Sequence, residues 1–130
     1  MTLDLFTELL NELVDELPEA FFQDLNLGVT VADLTPRHEK AVDGDLYILG
    51  EYQVSHAMGR GIVLYYGSFL EVHGHLSPEQ TKRELRKILR HEFRHHMEHR
   101  SGQRDLEIED EEDISRYLEK KHREKGTLWN

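Results

Sequence analysis

Residues 91–95 read His91-Glu92-Phe93-Arg94-His95, an H-E-x-x-H run. Side chains four apart lie one above the other on a helix, so His91 and His95 can grip one divalent cation between them. Glu92 is then placed to take a proton from a water that the cation activates. With Leu85 at zero and ~100° per residue, Glu92 falls near ~340°, Ile88 near ~300°, His95 near ~280° and His91 near ~240°. The three polar residues therefore flank or enter an apolar face, where a lone carboxylate or imidazole is costly.

A second frame overlaps the first. His95-His96-Met97-Glu98-His99 carries the inverted order H-x-x-E-H. Enzymes of that type are much larger and use a distant glutamate ligand, whereas only 31 residues follow His99. The first frame is preferred, with His99 as nearby support or a second-choice ligand; for His96 a packing or surface role is preferred to one of supporting a ligand. Glu98 is set aside as third ligand because it sits ~10 Å along the axis from His91. The ligand is expected beyond the helix stop at Gly102. Asp105 is the first choice, with Glu109 and Asp110 as alternatives, although Asp105 suits the N-cap of a following helix nearly as well. The chain has no cysteine, so ligands must be His and carboxylate, the set expected for one Zn2+ ion. Nickel and copper compete for such a site in vitro. Tyr65, Tyr66 and His99 are the candidates for stabilising an oxyanion, and spacing does not choose among them.

Several elements must position these residues. Ser77-Pro78-Glu79-Gln80 is a capping box with proline at the first helical position. From it a helix with Leu85, Ile88 and Leu89 inward runs through the histidines to Gly102. Upstream, Leu3, Phe6, Leu9, Leu10, Leu13 and Leu17 recur at helical spacing and stop before Pro18. A short helical turn is expected around Glu19–Leu25, and strands over about 27–33 and over Leu46–Leu49. The strongest strand by composition is Ile62–Tyr66, bent at Gly67 and continued by Phe69–Val72. A charged helix over about 106–124 would close the chain. Pairing of the Ile62–Tyr66 strand with an extended peptide is one reading of it; an ordinary core strand is the other.

The 130 residues suit a single domain, 1–130, with one modest core. Net charge is −10, which argues against nucleic acid or an anionic membrane as partner. The first fifty residues hold eleven acids and two bases, the next fifty six acids and eight bases, so the histidine helix lies in the basic part. The start lacks a signal-peptide pattern and no apolar run approaches a membrane span. A cytoplasmic protein, monomeric by default, is expected.

The tyrosine-rich strand and the histidine helix together carry a resemblance. Leu49-Gly50-Glu51-Tyr52, Leu64-Tyr65-Tyr66-Gly67-Ser68-Phe69-Leu70-Glu71-Val72, His91 to His96, and Gly102, Asp105, Leu106, Glu109 and Asp110 resemble the family of small bacterial possible zinc metallopeptidases with a minimal zincin-like fold. The resemblance covers nearly half the chain. It implies an α+β (mixed α/β) domain, with a small mixed sheet packed on an active-site helix. It also implies His91 and His95 as metal ligands and Glu92 as catalytic base, acting on a peptide or protein substrate. Members carrying H-E-x-x-H-x-x-G-x-x-D place the glycine three residues after the second histidine. Here Gly102 is seven residues after it, about one helical turn further on, and Asp105 keeps the G-x-x-D spacing. The alternative in a different class is a non-catalytic metal-binding or protein-interaction domain, for which the acidic run Glu107–Asp113 would be a contact surface for a basic partner.

Overall fold

The computed structural model describes residues 1–37 and 46–102, together with the backbone of residues 127–128. The helix expected over about 106–124, the acidic run, Asp105, Glu109 and Asp110 lie outside the described residues. Among those described, the fold is α+β, with three α-helices and a three-stranded mixed sheet.

Helix α1 spans Leu3–Glu16. It starts where the Thr2 hydroxyl accepts a hydrogen bond from the Leu5 amide, and Pro18 stops it two residues on. Its stripe of Phe6, Leu9, Leu10 and Leu13 is buried, as the spacing predicts. The turn after it is 3-10, over Glu19–Phe22. Strand β1 covers Gly28–Ala32, β2 Tyr47–Ile48, β3 Gly50–Ser55 and β4 Gly59–Tyr65. Helix α2 follows at once over Tyr66–His73, and helix α3 runs from Pro78 to Ser101. A two-residue strand, β5 at Thr127–Leu128, lies parallel to β2.

The sheet order is β1-β4-β3. Strand β4 pairs parallel with β1, Gly28 opposite Gly61, and antiparallel with β3, Gly50 opposite Leu64. Alternation along β4 sends Ile62 and Leu64 into the main core with α1 and α3, and Val63 and Tyr65 into a second cluster with Ile48. Phe6 anchors the main core, edge-on to Tyr66 and Phe69 at 5.2 and 5.3 Å.

Two expectations are corrected. Residues Phe69–Val72 do not continue a strand; they belong to α2. Tyr66 and Phe69, three apart, share its buried face, and the Ser68 amide and hydroxyl bond the carbonyls of Leu34 and Pro36. A Cβ on Gly67 would collide with Thr35 and the Leu34 carbonyl, so glycine lets α2 press against that segment. Tertiary packing here overrides the β-propensity of the run. The second correction is β4 itself. It is the central strand, hydrogen-bonded on both sides, so it has no edge to offer a peptide. Among the described residues the sheet edges are β1 and β3.

Candidate metal centre on the long helix

The helix that carries the motif starts as its sequence dictates. The Ser77 hydroxyl accepts from the Gln80 amide and the Gln80 side chain accepts from the Ser77 amide, with Pro78 at the first position. It ends at Gly102, which is left-handed at φ 80° and donates its amide back to the last turn. Its N-terminal half is tied to α1 by Lys82–Glu12 at 2.9 Å and Arg86–Glu16 at 3.2 Å. The Arg86 hydrogen bond holds the Glu16 carboxyl below its ordinary value.

On the sheet side, α3 comes close to β3 at Gly50, where a Cβ would sit 2.9 Å from Ile88 Cγ2. Glycine sets that approach distance. The buried side chains of α3 are Thr81, Leu85, Ile88, Leu89, Glu92, Phe93, His95 and His96. Glu92 thus lies in the middle of the buried arc, fully inaccessible, while His95 is 9% exposed and His91 half-buried at its rim. Structural helices seldom bury a carboxylate at that position.

The motif residues are brought together as the spacing requires. The rings of His91 and His95 lie 4.8 Å apart, nearly perpendicular at 82°. The Nε2 atoms of both and the two Glu92 carboxylate oxygens are buried. Two imidazole nitrogens one turn apart beside a carboxylate, in a chain without cysteine, are a donor set that fits a divalent ion of zinc's type. Among the described residues no group of three or more His, Asp or Glu could hold a metal; the candidate third ligands follow Gly102 and lie outside those residues.

His96 is bonded to other parts of the fold through both ring nitrogens. Its Nε2 is 2.8 Å from the Gln23 carbonyl, which can only accept, so Nε2 carries the proton. Its Nδ1 then accepts from the Tyr52 hydroxyl, also at 2.8 Å. The ring is fully buried, and that burial holds its pKa below the ordinary imidazole value despite the Gln23 bond. Tyr52 lies on β3, so this chain of bonds pins an edge strand to the long helix one residue past His95. The signal for it is tertiary, since Tyr52 and Gln23 are 44 and 73 residues from His96.

Of the three candidates for stabilising an oxyanion, Tyr66 is otherwise engaged: its hydroxyl donates to the Met1 carbonyl at 2.8 Å. Burial raises the pKa of Tyr65, and the charges of Glu51 and Glu92 push it the same way. His99 is exposed, its ring set edge-on to Tyr52 at 5.9 Å. Glu98 pairs with Arg94 at 3.7 Å on the same helix. Among the described residues no helix is long and apolar enough to cross a membrane.

No family model matches the chain, and no curated protein matches it. A solved structure does: a conserved hypothetical protein from Thermus thermophilus, 36% identical, with 78% of this chain covering 98% of that one at a TM-score of 0.66.

Proposed function

This chain belongs to the family of that Thermus conserved hypothetical protein, and we propose that it is a zinc-dependent peptidase of minimal zincin-like fold. The observation that carries the reading is the placing of His91, Glu92 and His95 within two turns of α3, with both Nε2 atoms and both carboxylate oxygens withdrawn from solvent. His91 and His95 would hold the ion through Nε2, with Asp105 as third ligand by spacing and Glu109 or Asp110 in its place otherwise. Such an ion, when bound, supplies Lewis acidity to a scissile carbonyl and an attacking water.

The chain's own residues do the rest. Both histidines bind in the neutral form with the proton on Nδ1. A Glu92 carboxylate oxygen accepts the proton of the attacking water and later passes it to the leaving amine. Burial of Glu92 under α3 keeps bulk water from competing for that proton. The Tyr52–His96 bond holds the β3 edge at a fixed distance from this face, and among the described residues it is this edge, not β4, that could pair with an extended peptide.

Glu92→Gln tests the reading. Hydrolysis of peptide substrates should fall on the order of a thousandfold while the zinc content of purified protein stays near that of the wild type. Chelation should abolish wild-type turnover and added zinc restore it. Unchanged hydrolysis in Glu92→Gln sinks the mechanism. Stoichiometric zinc without turnover on any peptide would favour the non-catalytic metal-binding domain instead.

A further inference from the structure

One turn beyond His95, α3 presents His99, and the β3–β4 hairpin closes beside it. Between them lies a cavity of about 590 Å³. Its polar lining comes from Asp24, Asn26, Ser55, His56, Arg60 and His99. Some of these groups are already engaged. Asn26 accepts from the Arg60 amide at 2.9 Å and donates to the Met58 carbonyl at 2.7 Å, which fixes the hairpin end. The Ser55 oxygen accepts from the Met58 amide at 3.1 Å, leaving its proton for a ligand. Asp24, the acid of the lining, is paired with Arg100 at 3.3 Å.

The half-buried Arg60 guanidinium is different. Among the described residues it has no carboxylate at ion-pair distance. Arg60 thus brings to the cavity lining a positive charge that no acid of the described residues neutralises at ion-pair distance. Its charge and that of Arg100 are felt as far as Tyr52, where they favour the phenolate against the effect of burial, and His96, where they act against protonation. Arg60, His56, His99 and the Ser55 hydroxyl thus offer donors and positive potential to an anion, and a planar carboxylate matches the guanidinium fork.

We infer that this cavity is a subsite for a carboxylate of a bound peptide, either an acidic side chain or the C-terminus. The ligand class rests on the peptidase reading; the preference for a carboxylate does not. His91, His95 and His99 form a row at four-residue spacing that leads to the cavity, and the β3 edge ends there at Ser55. His99 is ~12 Å along the helix from His91. An extended peptide covers that distance in ~3 or 4 residues.

The test is titration calorimetry on the intact chain, in the Glu92→Gln background so that peptides survive, with three tetra-alanine peptides. One is blocked at both ends, one has a free C-terminal carboxylate, and one is blocked but carries a single glutamate. At least one carboxylate peptide should bind about tenfold more tightly than the neutral one, and which one does so identifies the source. Arg60→Gln should erase the difference. Asp24→Asn should enlarge it several-fold. Asparagine tolerates the left-handed backbone at position 24, φ 64°, so this second variant preserves the fold. Equal binding of all three peptides, or a preference that survives Arg60→Gln, overturns the inference. A preference that depends on Arg60 in a protein whose wild type hydrolyses nothing would sink the peptidase reading and leave the subsite standing.

Discussion

His95 and His96 are adjacent, of one residue type, and both buried, yet the two sides of α3 use them oppositely. His96 has each ring nitrogen committed to a partner at 2.8 Å on another element, one on β3 and one in the turn before β1. His95 instead faces the His91 ring across one helical turn, beside the fully buried Glu92. Burial therefore does not separate a structural histidine from a candidate ligand. The geometry that marks each is different: His96 bridges two distant parts of the fold, and His95 shares one helical turn with a second imidazole and a carboxylate. The first side holds the helix against the sheet edge; the second is held in place by it.

The comparison breaks most readily by truncating each member. His96→Ala leaves the Tyr52 hydroxyl and the Gln23 carbonyl without their partner and opens a void, so it should cost about 3 kcal/mol in urea unfolding of metal-free protein. His95→Ala, at a site 9% exposed, should cost at least ~1.5 kcal/mol less and abolish the zinc binding proposed above. Equal costs in the two variants would erase the distinction between the sides. Next in size is Gly50→Ala. Its methyl would press on Ile88 Cγ2 and lift α3 from β3, at about 1–3 kcal/mol. If packing at Gly50 sets the distance that the Tyr52–His96 bond needs, the tyrosine hydroxyl should matter less in that variant. A double-mutant cycle between Gly50→Ala and Tyr52→Phe reads this coupling. Tyr52→Phe alone strands a buried acceptor, His96 Nδ1, and should cost about 1–2 kcal/mol.

Both long helices are legible in the sequence because their signals are local. The Ser77–Gln80 box, the Gly102 stop and the leucine stripe of α1 are each read within a few residues. The H-E-x-x-H grouping is legible for the same reason, since helical spacing alone brings His91 and His95 together. Elements defined by distant partners are not. Strand β3 carries Gly50 and Tyr52 on its inner face but alternates them with Glu51 and Gln53, and that alternation has too little apolar content to stand out. Helix α2 reads as strand until its packing on Phe6 and the Leu34–Pro36 segment is known. The central place of β4 depends on a parallel partner some thirty residues upstream, which no pattern within β4 reveals. The tie through Tyr52, His96 and Gln23 has no local signal at all. Asp105 rests on spacing alone.

The smallest expected effect is a pH dependence that the structural side should carry. Burial lowers the pKa of His96 in the fold, and also that of His73, which packs on Phe69 at 5.1 Å. In the unfolded chain both return toward 6.5. Above that value the two states are alike, and the full stability is present. As pH falls below it, the unfolded chain takes up protons that the folded chain resists, so unfolding becomes more favourable until the folded pKa values are passed. The Tm of metal-free protein should therefore drop between pH 7.5 and 5.5. His73→Gln should remove part of the slope and leave the rest, because the proton that His96 lacks is excluded by burial between Tyr52 and Gln23. His96→Gln should flatten the remainder, even where its absolute Tm is lower. A slope that persists in the double variant would place the proton uptake elsewhere, and the tie beneath α3 would then be neutral for reasons other than desolvation.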